Sequence, residues 1–97
     1  MSKALLVTGG GRGIGAASAR LAAARGWAVC VNYRSDRATA EAVANEIERA
    51  GGRAVALGAD VSSEAAVVRL FDEAARALGP LAGLVNNAGI LERQARL

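Results

Sequence analysis

Residues 4–15 read Ala-Leu-Leu-Val-Thr-Gly-Gly-Gly-Arg-Gly-Ile-Gly, an apolar run that ends abruptly in glycines and opens onto an alanine-rich stretch with helical spacing. Such a run is a strand, a tight turn and the start of a helix. A chain that reverses from strand to helix within a few residues needs positive φ, which glycine alone adopts without steric cost. The first NH groups of the helix lack intrahelical partners and carry the positive end of its dipole, so they favour an anion such as a pyrophosphate. Glycines there also let a ligand approach the backbone closely.

The rest of the chain repeats the plan. Lys3 to Thr8 is expected as a buried strand, continuous and apolar as parallel strands covered on both faces tend to be. The first helix places Ile14, Ser18, Leu21 and Ala22 on one face and stops at Gly26. Trp27 to Tyr33 is the second strand. Ser35 is expected to cap the next helix, with Asp36 in its first turn; its apolar stripe is Ala40, Val43, Ala44, Ile47 and Ala50, and Gly51-Gly52 ends it. Arg53 to Leu57 forms strand three, followed by Asp60-Val61. Ser62 or Ser63 begins a third helix whose Val67, Leu70, Phe71, Ala74 and Leu78 recur at three- and four-residue steps until Gly79-Pro80 breaks it. Leu81 to Val85, strand four, runs into Asn86-Asn87-Ala88-Gly89. This alternation implies an α/β fold, a parallel sheet with right-handed crossovers and helices on both faces.

Composition narrows the function classes. The chain has 97 residues, 53% of them hydrophobic but only 3% aromatic, so one small domain must build its core from Ala, Val, Leu and Ile. The net charge of +3 comes from arginines scattered without a run or aromatic interleaving, which argues against nucleic acid as a partner. Cys30 is the single cysteine, placed in the middle of an apolar run as a small buried hydrophobe, and there is no histidine. A zinc site is excluded in practice, a reducing cytoplasmic setting fits, and neither a signal peptide nor a membrane span is expected.

Taken together, Thr8-Gly9-x-x-x-Gly13-x-Gly15, Asp60-Val61 and Asn86-Asn87-Ala88-Gly89 resemble the short-chain dehydrogenase/reductase family. The resemblance covers essentially the whole chain, but only the first part of the family's domain. It implies a Rossmann-type doubly wound parallel sheet in three α/β/α layers, truncated after the fourth strand. It also implies a nicotinamide dinucleotide as cofactor and hydride transfer to or from a carbonyl or alcohol substrate. By position, Gly9, Gly11, Arg12, Gly13 and Ile14 would wrap the pyrophosphate and adjoining ribose. Asp60 and Val61 would hold the adenine, and Asn87, Ala88 and Gly89 would line the adenosine and the approach to the nicotinamide. Thr8 and Asn86 are read instead as structural ties, because buried polar groups near strand ends need partners.

Charge at the end of strand two bears on which dinucleotide is preferred. An acid there suits the ribose hydroxyls of NAD, whereas the 2′-phosphate of NADP requires a cation. Tyr33 stands in the acid's place with Arg34 and Ser35 next, and both Arg34 and Arg12 can reach an added phosphate. Asp36 is the counter-argument, but it is assigned to the helix terminus. NADP is therefore expected over NAD.

The resemblance also implies a catalytic serine, a tyrosine acting as general acid/base and a lysine four residues after it. The chain supplies no such group. Tyr33 is its only tyrosine and has Arg37 four residues on, while Lys3, its only lysine, lies at the far end of the first strand, about 17 Å from the turn. No catalytic and no metal-binding residue is therefore expected among these 97, and the catalytic segment is expected elsewhere. A non-enzymatic dinucleotide-binding module is the alternative. A phosphoryl-transfer P-loop fits less well, for want of the Gly-Lys-Ser/Thr ending. Strand four would be left as an apolar edge prone to self-association, consistent with a homo-oligomer.

Overall fold

The computed structural model describes residues 3–9, 11 and 13–87. Their elements run β1 (Ala4–Thr8), α1 (Gly13–Ala24), β2 (Ala28–Tyr33), α2 (Arg37–Arg49), β3 (Arg53–Gly58), α3 (Glu64–Leu78) and β4 (Leu81–Asn86). All pairings are parallel, in the order β3-β2-β1-β4. The α/β fold expected from the sequence is thus observed, with each strand boundary within one residue of its expected place.

The chain first steps outward from β1 through β2 to β3, then returns past both to place β4 on the other side of β1. Right-handed crossovers put the helices of the two directions on opposite faces. Leu5, Val7, Val29 and Val31 accordingly face α2 residues such as Val43 and Ile47, together with Ala16 and Ala19 of α1. The alternate residues Ala4, Leu6, Ala28 and Cys30 face Leu70, Ala74 and Leu78 of α3. Strand alternation, two residues per repeat, has sorted one apolar run into two cores.

Two helix faces differ from expectation. In α1 the buried residues are Gly15, Ala16 and Ala19, while Ile14 and Leu21 are 71% and 56% exposed. Small residues let the α1 axis lie close to the sheet, and a leucine at the contact would hold it away. In α3 the four-residue row Ala66, Leu70, Ala74 and Leu78 is buried, and Phe71 stands on its flank, 41% exposed.

The helix caps are also resolved. Asp36, not Ser35, caps α2: its Oδ1 accepts from the Thr39 amide at 3.2 Å. Ser63, not Ser62, caps α3 by accepting from the Ala66 amide at 3.3 Å. Among the described residues no helix is long and apolar enough to cross a membrane.

Candidate dinucleotide site

The strands' carboxyl ends meet at one rim, and the sheet's direction of growth reverses beside β1, between β2 and β4. Ligands of open α/β sheets bind outside such a switch point, where loops leave neighbouring strands in opposite directions. A groove of about 490 Å³ lies there, lined by Thr8 and Gly9 after β1, Asn32 and Arg34 at the end of β2, Asp60 and Val61 after β3, and Asn86 of β4. Its size suits a small-molecule ligand. Phe71 and Leu84 add an apolar wall.

Gly9 and Gly13 have φ of 63° and 53°, the left-handed geometry expected of the turn. Gly11 serves a different end. A Cβ built on it would lie 3.1 Å from the Ala40 nitrogen and 3.3 Å from its Cα, so the turn is braced directly on the first turn of α2. Ile14 sits exposed at the start of α1, outside the groove wall. Arg12, Ala88 and Gly89 lie outside the described residues.

Two donor side chains, those of Thr8 and Asn87, fasten this turn to the end of β4. The Thr8 hydroxyl oxygen lies 3.1 Å from Asn86 Oδ1 and 3.4 Å from the Val85 carbonyl oxygen, consistent with the tying role expected of both residues. Asn87 Nδ2 donates to the Gly9 carbonyl oxygen at 3.2 Å. The sequence places Asn87 beside the adenosine; in the structure its amide also holds the first glycine of the turn.

At the end of β2 the three expected residues part company. The Tyr33 ring covers Gly58, its partner across the β2–β3 ladder, so closely that a Cβ there would fall 2.8 Å from it. It packs against the α1/α2 core and does not line the groove. Ser35 is exposed and also outside the wall. Arg34 does line it, and its guanidinium lies 3.7 Å from Asp60 Oδ2.

Asp60 is pre-oriented by its own loop. Its Oδ1 accepts from the Ser62 hydroxyl at 2.7 Å and from the Ser62 amide at 3.0 Å. Those two bonds, the hydroxyl's first, and the nearby Arg34 charge hold the carboxyl below its usual range, so it is an acceptor at neutral pH. Oδ2 faces Arg34 across the groove mouth. The pair is solvent-exposed and contributes little to stability.

Sequence reasoning missed Asn32. It is 2% exposed at the end of an otherwise apolar strand, and its Nδ2 lies within 3.3 Å of the carbonyl oxygens of Tyr33, Leu57 and Ala59. An asparagine closing a buried strand at the ligand-bearing rim was the available signal. Lys3, by contrast, lies at the far end of the sheet, its Nζ 5.7 Å from the centre of the Trp27 ring. Among the described residues no tyrosine–lysine pair approaches the groove.

Comparison with known proteins agrees with this geometry. The family profile described as short chain dehydrogenase matches residues 3–97. The protein described as uncharacterized oxidoreductase YgfF of Escherichia coli strain K12 is 52% identical over 89 residues, covering 92% of this chain and 36% of its own length. A dehydrogenase/reductase structure from Sinorhizobium meliloti 1021 superposes with a TM-score of 0.86 at 46% identity, over 90% of this chain and 35% of that one. A short chain dehydrogenase from Burkholderia cenocepacia, solved in complex with NADP, gives 0.83 at 46% identity, over 87% of this chain and 34% of that one. The chain therefore spans about a third of the length of the relatives it matches. With its glycine turn, its Asp60 loop and its asparagine-fastened fourth strand on one rim, the chain belongs to the short-chain dehydrogenase family.

Proposed function

We propose that the chain is the NADP(H)-binding portion of an oxidoreductase that moves hydride between nicotinamide and a carbonyl or alcohol substrate. The observation that carries this reading is the convergence of Gly9, Arg34, Asp60 and Val61 on one groove at the switch point of the sheet. Gly9 and Gly13 shape the turn for the pyrophosphate, Asp60 and Val61 take the adenine, and Arg34 turns from Asp60 to the 2′-phosphate. Gly11, Arg12, Asn87, Ala88 and Gly89 are assigned to the same cofactor from the sequence, and Ile14, Tyr33 and Ser35 flank it.

A cationic side chain at the end of β2 is what favours NADP over NAD, since a guanidinium forks onto a phosphate dianion as it cannot onto two ribose hydroxyls. When bound, the cofactor would donate hydride in its reduced form or accept it in its oxidised form. The residues present bind and orient it, and the proton-transferring group is assigned to sequence outside these 97 residues, in a longer protein.

Fluorescence titration of the purified chain with NADPH tests the reading, with ATP as the control. Saturable NADPH binding that 2′,5′-ADP competes away is the expected result. Binding of ATP without NADPH overturns it.

A further inference from the structure

Thr8 and Asn32 are the buried polar side chains among the described residues, and both stand at carboxyl ends of adjacent strands, in the groove wall. Thr8 joins the fastening of β4. Asn32 faces the other way, toward β3. Its Nδ2 lies 3.2 Å from the Tyr33 carbonyl oxygen, 3.2 Å from that of Leu57 and 3.3 Å from that of Ala59. Three carbonyl oxygens around one atom identify that atom as the amide nitrogen, since an oxygen there would meet only acceptors. The nitrogen carries two hydrogens, so one of them is shared.

The three acceptors are informative by their positions. Tyr33 immediately precedes Arg34, Leu57 is the penultimate residue of β3, and Ala59 immediately precedes Asp60. The Tyr33 carbonyl also accepts from the Ala59 amide at 3.0 Å, so the backbone ends of β2 and β3 are already in register where Asn32 binds them. Just beyond, the charged groups facing this part of the groove are Arg34 and Asp60, 3.7 Å apart. A buried amide in an apolar sheet is costly unless all its donors are used, and a valine would fill the strand position without that cost.

We infer that Asn32 is a positioning residue for the adenosine half of the dinucleotide. It binds the backbone at the ends of both β2 and β3 and so fixes the spacing between the phosphate-reading Arg34 and the adenine-reading Asp60. The inference rests on the dinucleotide reading of the groove. It acts through those two residues and through the loop between Ala59 and Ser62, without requiring a contact of its own with the cofactor. The glycine turn, held by Asn87 and braced on α2, is independent of it.

The test compares the unaltered chain with Asn32→Leu. Amide hydrogen exchange at Ala59 and Ser62 is expected to quicken at least about tenfold in the variant, with 2′,5′-ADP bound about tenfold more weakly and inorganic pyrophosphate, which reaches only the glycine turn, bound as before. Unchanged exchange at both amides, or equal losses for 2′,5′-ADP and pyrophosphate, overturns the assignment. If Asn32→Leu does not fold, the unaltered chain decides. Its Asn32 side-chain hydrogens should exchange slowly and show coupling across hydrogen bonds to the Leu57 and Ala59 carbonyls, whereas exchange at the rate of a solvated asparagine refutes the clamp. An unaltered chain that binds no 2′,5′-ADP sinks the dinucleotide reading instead, and the exchange data still judge whether Asn32 holds the loop.

Discussion

Asn87 and Gly9 are 78 residues apart in sequence and joined by one hydrogen bond, from the Asn87 side-chain amide to the Gly9 carbonyl oxygen, 3.2 Å long. That bond makes the end of β4 the support of the turn that follows β1. A glycine turn without support could sample many backbone conformations, and its amides would lose their common aim. Replacing Asn87 by Ala should weaken dinucleotide binding about tenfold and cost about 1 kcal/mol of stability, typical of a lost hydrogen bond. Calorimetric titration and urea unfolding measure the two effects. An unchanged affinity would show that the turn holds its shape alone.

Arg34 is the residue to which the proposed NADP preference is assigned. NADPH is expected to bind more tightly than NADH, and Arg34→Ala should reduce the difference by about tenfold, as loss of a charge-assisted contact does. The affinity for NADH itself should hardly move. Equal affinities of the unaltered chain for the two dinucleotides would contradict the assignment to NADP.

Gly11 and Gly13 should tolerate alanine for different reasons and to different degrees. At Gly11 the added methyl meets the α2 backbone at Ala40, which cannot rotate away as a side chain could. Overpacking of that kind costs about 1–3 kcal/mol and moves the turn relative to α2. At Gly13 nothing lies within 4 Å of the added atom, and the cost is that of φ at 53°, about 1–2 kcal/mol. Denaturant unfolding gives both costs. Gly11→Ala should also shift the α2 amide resonances of Thr39 and Ala40 in an NMR spectrum, and Gly13→Ala should leave them in place.

Cys30 predicts an alkaline limit. Burial first, and the neighbouring Glu73 charge second, push its thiol up to about 12 from an ordinary value of 9.0. Below pH 9 the thiol keeps its proton whether the chain is folded or not. Between 9 and 12 only the unfolded chain releases it, so the folded state binds more protons and stability falls by about 1.4 kcal/mol for each pH unit. Cys30→Ala should remove this share of the alkaline loss, seen as a shallower fall in melting temperature above pH 9. The native thiol should also resist iodoacetamide until the chain unfolds. Identical pH profiles for the two proteins would argue that the thiol is solvated.

The layers were legible in the sequence because each strand is a short apolar run and each helix ends at glycine. Glycine's tolerance for positive φ and the period of two along a strand are local properties, and the sequence states them directly. The helix faces were less legible where contact depends on size as well as polarity. Ile14 and Leu21 outrank Ala16 and Ala19 on any hydrophobicity scale, but α1 approaches the sheet through the smaller pair. The charged residues singled out in the sequence, Arg34 and Asp60, do meet in one groove, 3.7 Å apart. Asn32, and the bond from Asn87 to the turn, were missed because their partners are backbone carbonyls of distant segments, and no pattern of residue types records where a carbonyl will point.

The strand order also sets the moment at which the groove can exist during synthesis. β1 and its turn are made before the neighbour that fastens them, β4, with β2, β3 and three helices in between. Until Asn86 and Asn87 emerge, the nascent chain can pair β1 with β2 on one side only, and the loop after β1 has its brace on α2 but not its tie to β4. A ribosome stalled any earlier carries a sheet with an open flank beside β1.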